Sequence, residues 1–90
     1  MAGWAVNNMA RHIRERFPDK KRTIDLLIKK DPEFLDLCED YDACVDAFRY
    51  WAKSEKPEAE TRANEYHILV RDLQEEITQA LAALEPKQSE

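Results

Sequence analysis

Apolar side chains recur along this chain with the period of a helix. From Ala5 to Phe17 they fall at Val6, Met9, Ala10, Ile13 and Phe17, which predicts a helix there. From Lys20 to Lys30 they fall at Ile24, Leu27 and Ile28, with Leu26 off the stripe, which predicts a second short helix. Pro18 separates the two, because a proline inside a helix removes a donor and clashes with the preceding turn. Asp31-Pro32-Glu33 then reads as a helix start. Asp31 can accept a bond from an early amide, Pro32 suits the first position, and Glu33 complements the positive end. This helix is expected to run to about Lys53. Ser54-Glu55-Lys56-Pro57 reads as a connection, and a last helix is expected from Glu58 to Leu84.

Both long segments carry heptads. In the first, position a holds Phe34, Tyr41 and Phe48, position d holds Leu37, Cys44 and Trp51, and position e adds Cys38, Val45 and Ala52. Three apolar columns are more than a two-stranded seam needs, so this helix should meet more than one neighbour. In the second, Ala63, Val70, Ile77 and Leu84 fall at a, and Ala59, Tyr66, Leu73 and Ala80 at d. A short connection between long helices makes them antiparallel neighbours. In that register Ala59 and Ala63 are expected opposite Phe48 and Trp51. Phe34 and Leu37 are expected opposite Ile77, Ala80 and Leu84. The expected fold is all-α: an antiparallel, coiled-coil-like hairpin of long helices with one or two shorter N-terminal helices packed on it.

Ninety residues make one domain, 1–90. It divides into a basic helical segment (1–30), a helical hairpin (32–85) and a frayed tail (86–90). Residues 1–30 hold eight Lys or Arg against three Asp or Glu, whereas the remaining sixty carry a net −10 within an overall −5. A chain this short buries only about 60% of its unfolded surface, so oligomerisation would help its core. No apolar run reaches the roughly 18 residues of a membrane span, so no transmembrane insertion is expected. Nor does the N-terminus show the apolar segment of a signal peptide, although its arginines give it a slight transit-peptide character.

Chemistry is constrained mainly by what is missing. Glycine occurs once, at Gly3, so loops that cradle phosphates through glycine backbone are disfavoured. Cys38 and Cys44 lie six positions apart on one helix, a rise of about 9 Å. That exceeds the roughly 7 Å reach of a disulfide, which fits a reducing, cytoplasmic setting. With His12 and His67 they are the only Cys and His side chains, and none forms a close zinc-ligand pair. Glu39, Asp40, Asp42 and Asp46 lack the glycine turn of a calcium loop and read as a solvated acidic face, or else as a docking surface for a basic partner. Glu65 and His67, two apart on a helix, point away from one another. The two serines, Ser54 and Ser89, have no histidine nearby in sequence. Catalytic, metal and cofactor residues are therefore assigned to none, and the chain is expected not to be an enzyme.

The basic segment has three readings. It can fold back over the spare columns of the first long helix, its charges meeting Asp36, Asp40 and Asp46. It can approach nucleic acid or a partner through Arg11, Arg14, Lys20, Lys21 and Arg22. It can lie on an anionic membrane with Trp4, Met9, Ile13 and Phe17 inward.

The stretch from Thr23 to Leu81 resembles the YdcH-like family of small bacterial proteins. The resemblance rests on a short helix ending in Ile28-Lys29-Lys30, on Asp31-Pro32-Glu33-Phe34-Leu35-Asp36-Leu37, on a tyrosine-centred helix, and on Val70-Arg71-Asp72-Leu73-Gln74-Glu75-Glu76-Ile77. It covers about two thirds of the chain. It implies a helical hairpin and no assigned activity, with no catalytic residue to carry over. The N-terminal extension and the Phe48, Tyr50, Trp51 cluster depart from it.

The functional expectation is a non-catalytic interaction or scaffolding module that self-associates as a homo-oligomer or takes a partner helix. Its interface residues would be Phe34, Tyr41, Phe48, Tyr50 and Trp51. The alternatives are a nucleic-acid-associated regulator using the basic segment, and an acidic accessory subunit of a larger complex.

Overall fold

The structure, a computed structural model, describes residues 9–84. It is all-α, with no strand among the described residues. The elements are α1 (Arg11–Arg16), a 3-10 turn (Pro18–Lys20), α2 (Lys21–Lys30), α3 (Pro32–Lys53) and α4 (Ala59–Leu84). The expectations placed on Trp4, Val6 and the tail 86–90 lie outside the described residues.

Local chemistry sets most of these boundaries. Asp31 stands in an extended conformation, and its carboxylate accepts the Glu33 amide at 3.0 Å while Pro32 opens α3. One orphan donor of the helix start is thereby satisfied, and the proline costs no hydrogen bond there. At the other end Ser54 is extended, and its hydroxyl accepts the Lys56 amide at 3.1 Å, which turns the chain towards α4. Helix α4 begins at Ala59, one residue later than expected.

The N-terminal expectation needs correction. The apolar pattern from Ala5 to Phe17 predicts one continuous helix, but Ala10 adopts φ 58° and ψ 43°, in the left-handed region. That conformation costs a residue with a Cβ roughly 1–2 kcal/mol. A helix cannot pass through it, so α1 is only six residues long. The methyl of Ala10 is buried among core side chains, which keeps the turn seated despite its strain.

The long helices α3 and α4 pack against each other and make the most extensive contact in the molecule. The Phe48 ring lies 5.6 Å from that of His67. Seven residues earlier on α3, the Tyr41 hydroxyl donates to Gln74 Oε1 at 3.0 Å, seven residues later on α4. Two helices running in opposite directions give that progression. Phe48 thus meets the ring of His67, one helical turn beyond Ala63 on α4.

The core lies at one end of this pair. It joins Ala10 and Ile13 from α1 and the turn before it, Ile24, Leu27 and Ile28 from α2, Phe34, Cys38, Tyr41 and Val45 from α3, and Ile77 and Leu81 from α4. Leu37, Ala80 and Leu84 pack against its edge. The a and e columns of α3 supply its buried side chains, while Leu37, Cys44 and Trp51 of the d column are only half-buried. Helices α1 and α2 cover the a/e side, which is why three columns are apolar. Leu81, outside both heptad columns of α4, is 1% exposed. Leu26, off its stripe, is exposed as its position demands.

Truncating Phe34 to Ala should cost about 3–5 kcal/mol, because a filled site becomes a cavity. The exposed Ile68→Ala should cost no more than about 0.5 kcal/mol. Urea unfolding followed by circular dichroism measures both, and equal costs would contradict a core confined to one end.

Candidate functional site

Two places carry functional side chains: the junction of α1 with α3, and the half of the helix pair that no other described element covers.

The junction is built on two carboxylates one helical turn apart. Asp42 Oδ2 accepts the backbone amide of Arg11 at 3.1 Å, and Oδ1 accepts that of His12 at 3.0 Å. These are orphan donors at the start of α1, and Ala10 has no side chain to satisfy them. Asp42 thus acts as an N-cap supplied from another helix. Asp46 takes the side chains instead: His12 Nε2 at 2.9 Å and Arg11 Nη2 at 3.3 Å. Two aspartates at this spacing repel one another, and the cations and amides of α1 offset that repulsion. The reading of Asp42 as part of a solvated face is therefore corrected, while Asp46 stays exposed as it binds α1. Among the aspartates expected to meet the basic segment, Asp46 does so within the described residues. Asp36 and Asp40 line a separate surface recess with Glu33, Leu37 and Glu76.

His12 is 6% exposed, and its ring spans the junction. Nε2 donates to Asp46, which leaves Nδ1 on the side of Glu15, at 3.8 Å from Oε1 and beyond bonding distance. The Asp46 carboxyl lies below its usual 3.8, chiefly through the His12 hydrogen bond, against slight desolvation and with help from the charges of His12, Arg11 and Arg49. Arg14 reaches Asp25 Oδ1 at 2.7 Å and donates through Nε to the Met9 carbonyl at 2.8 Å, tying α1 to α2 and to the strained turn. Arg11 and Arg14 are thus engaged within the chain, while Lys21 and Arg22 are exposed. Lys20 also has a partner.

Between α1 and α3 lies an open cleft of about 240 Å³, lined by His12, Glu15, Arg16, Tyr41, Val45 and Arg49. Tyr41 and Val45 form its buried floor. Burial pushes the Tyr41 phenol up from its usual value, and the guanidinium groups of Arg16 and Arg49 oppose that rise.

The uncovered half spans residues 46–70, where Ala59 is the one buried residue. Phe48 and Trp51 are half-buried there, and Tyr50, Ile68 and Leu69 are exposed. The Tyr50 and Trp51 rings meet edge to face at 5.0 Å. Lys56 donates to the Tyr50 hydroxyl at 2.9 Å and sits over both rings, which fixes the cluster beside the connection. Phe34 and Tyr41, expected with these aromatics at an interface, are instead 1% and 5% exposed within the core. Ile68 and Leu69 fall outside the heptad columns, so the pattern did not mark them as a surface.

Cys38 and Cys44 are both free thiols. Cys38 is fully buried, which pushes its thiol up to about 12, with Asp42 and Glu39 adding to the rise and Arg14 opposing it. Cys44 is raised by burial and then by Asp40, and is only half-buried. Among the described residues no group of His, Cys, Asp and Glu is placed to hold a metal ion, and no helix is long and apolar enough to cross a membrane.

Replacing Asp42 by Ala should cost about 1 kcal/mol, as loss of an N-cap does, and should speed amide exchange at Arg11 and His12. Amide exchange followed by NMR reads this directly; unchanged protection at both amides would refute the capping role. The depressed Asp46 carboxyl stabilises the fold fully above its ordinary value, and that stabilisation is lost as pH falls through the lower folded value. Asp46→Asn should therefore weaken the fold at neutral pH and flatten its acid dependence below about 3.8. Acid unfolding of both proteins measures the difference. An aromatic disulfide reagent should modify Cys44 well before Cys38, since thiolate fraction and access both favour it.

Comparison with protein-family models, with curated proteins and with solved structures finds no match to this chain.

Proposed function

We propose that this chain is a non-catalytic interaction module that self-associates through the uncovered half of its long helices. The observation that carries the reading is the contrast between the two ends. One holds a core built from four helices, whereas the other sets Phe48, Tyr50, Trp51, Ile68 and Leu69 on two helices with Ala59 alone buried. Aromatic side chains on a fixed scaffold provide contact area at low entropic cost. Two helices without further cover are a weak unit, because most helix stability comes from tertiary packing.

A second copy of the chain is the occupant this surface suits. Residues 46–70 hold five carboxylates and four Lys or Arg, so two such halves meet with almost no net like charge. A two-fold arrangement would apply the same patch twice. The exposed stretch of α4 from Ala59 to Val70 is about 18 Å long. Laid beside α3, it offers each partner an area on the order of the 800 Å² that a stable interface buries. We propose equally that the long helices form a coiled-coil-like hairpin and that the chain is a member of the YdcH-like group. The nucleic-acid reading loses ground because Arg11 and Arg14 are bonded to the chain's own carboxylates.

Light scattering across a dilution series should return a multiple of the 10.6 kDa chain mass. Tyr50→Glu and Leu69→Glu replace exposed side chains, so each should keep the circular dichroism of the parent yet shift the mass towards one chain. A monomer at all concentrations would overturn the reading, as would an assembly that both folded variants leave intact.

A further inference from the structure

We propose that the cleft between α1 and α3 is a binding site for a phosphoryl group, held between Arg16 and Arg49 and completed by Nδ1 of His12. No part of this depends on self-association.

Two guanidinium groups flank the cleft. Arg16 stands on one wall and Arg49 on the other. Neither has a carboxylate within bonding distance among the described residues. The reason is visible in the helices. Asp46 lies one turn before Arg49 on α3 and would be its natural partner, but its oxygens are taken by His12 and Arg11. Glu15 precedes Arg16 directly, and its carboxylate lies on the side of His12, 3.8 Å from Nδ1. Two cations thus face one recess without a direct ion pair, and Glu15 is the one acidic side chain in its lining.

Arg16 is also held in place. The Arg16 guanidinium lies 5.4 Å above the centre of the Phe17 ring, a cation–π contact that limits its excursions. Both arginines line the same recess as the Tyr41 phenol at its floor. Planar guanidinium forks match the oxygens of a phosphoryl group.

His12 supplies the third contact. Its ring is fixed through Nε2 by Asp46, and Nδ1 makes no hydrogen bond within the described residues. In the protonated ring Nδ1 donates to an anion. Glu15, at 3.8 Å, is the one acidic group lining the cleft, and a ligand anion would displace it. The apolar floor of Val45 and the Tyr41 ring accommodates the group that carries the phosphate.

The test uses the full chain and two probes, inorganic phosphate and phenyl phosphate, titrated at constant ionic strength against chloride and followed by NMR. Saturable shifts confined to His12, Arg16, Tyr41, Val45 and Arg49 are expected. Tighter binding of inorganic phosphate assigns the free ion, and tighter binding of phenyl phosphate assigns a phosphomonoester. Arg16→Gln and Arg49→Gln should each weaken binding by about tenfold. Glu15→Gln should strengthen it. All three replace exposed side chains, and thermal melting checks that each variant stays folded. Shifts that chloride alone reproduces would overturn the proposal. So would saturable binding that survives both arginine changes, or binding of a thymidine oligonucleotide alone through Lys21 and Arg22.

Discussion

A mismatch of lengths governs this molecule. Helices α3 and α4 hold 22 and 26 residues, about 33 and 39 Å, whereas α1 and α2 hold 6 and 10 residues, about 9 and 15 Å. Short helices laid across long ones can cover only part of them. Where they do, Phe34, Cys38, Ile77 and Leu81 are sealed from water. Where they do not, apolar and aromatic side chains stay at the surface. The position of the core, the bare half of the pair and the cleft beside α1 all follow from that partial cover.

The cover is fastened by charge as well as by apolar contact. Ile13 is fully buried, but a six-residue helix brings little apolar area of its own. Asp42 and Asp46 add bonds to its amides and side chains, and Arg14 ties it back to α2. The split of charge along the chain therefore acts inside the molecule, at Asp42 and Asp46 of its acidic part. Ala10 shows the strain this arrangement tolerates: its backbone favours glycine, while its buried methyl fills space that glycine would leave empty.

Much of the fold was legible because it rests on local rules. Asp31 and Pro32 open α3 where their chemistry says they should, and the stripe of Ile24, Leu27 and Ile28 faces inward while Leu26 does not. The third apolar column of α3 announced another neighbour, and Cys38 and Val45 indeed lie under the short helices. The junction was less legible, since its contacts join residues some thirty positions apart. No local pattern distinguishes Asp42, which caps a helix, from Asp40, which faces solvent. The turn at Ala10 is invisible for a similar reason: alanine favours helix, and packing overrides that preference. His12 looked like one isolated histidine until α3 brought Asp46 to it.

Tyr41 belongs to two surfaces at once. Its ring floors the recess beneath α1, while its hydroxyl reaches across to Gln74 on α4. Sliding one long helix along the other would break that bond and leave a buried phenol without an acceptor. The same ring cannot move far without disturbing the floor. One side chain thus couples the lengthwise alignment of the helix pair to the shape of the recess, so that whatever tightens the one is felt by the other.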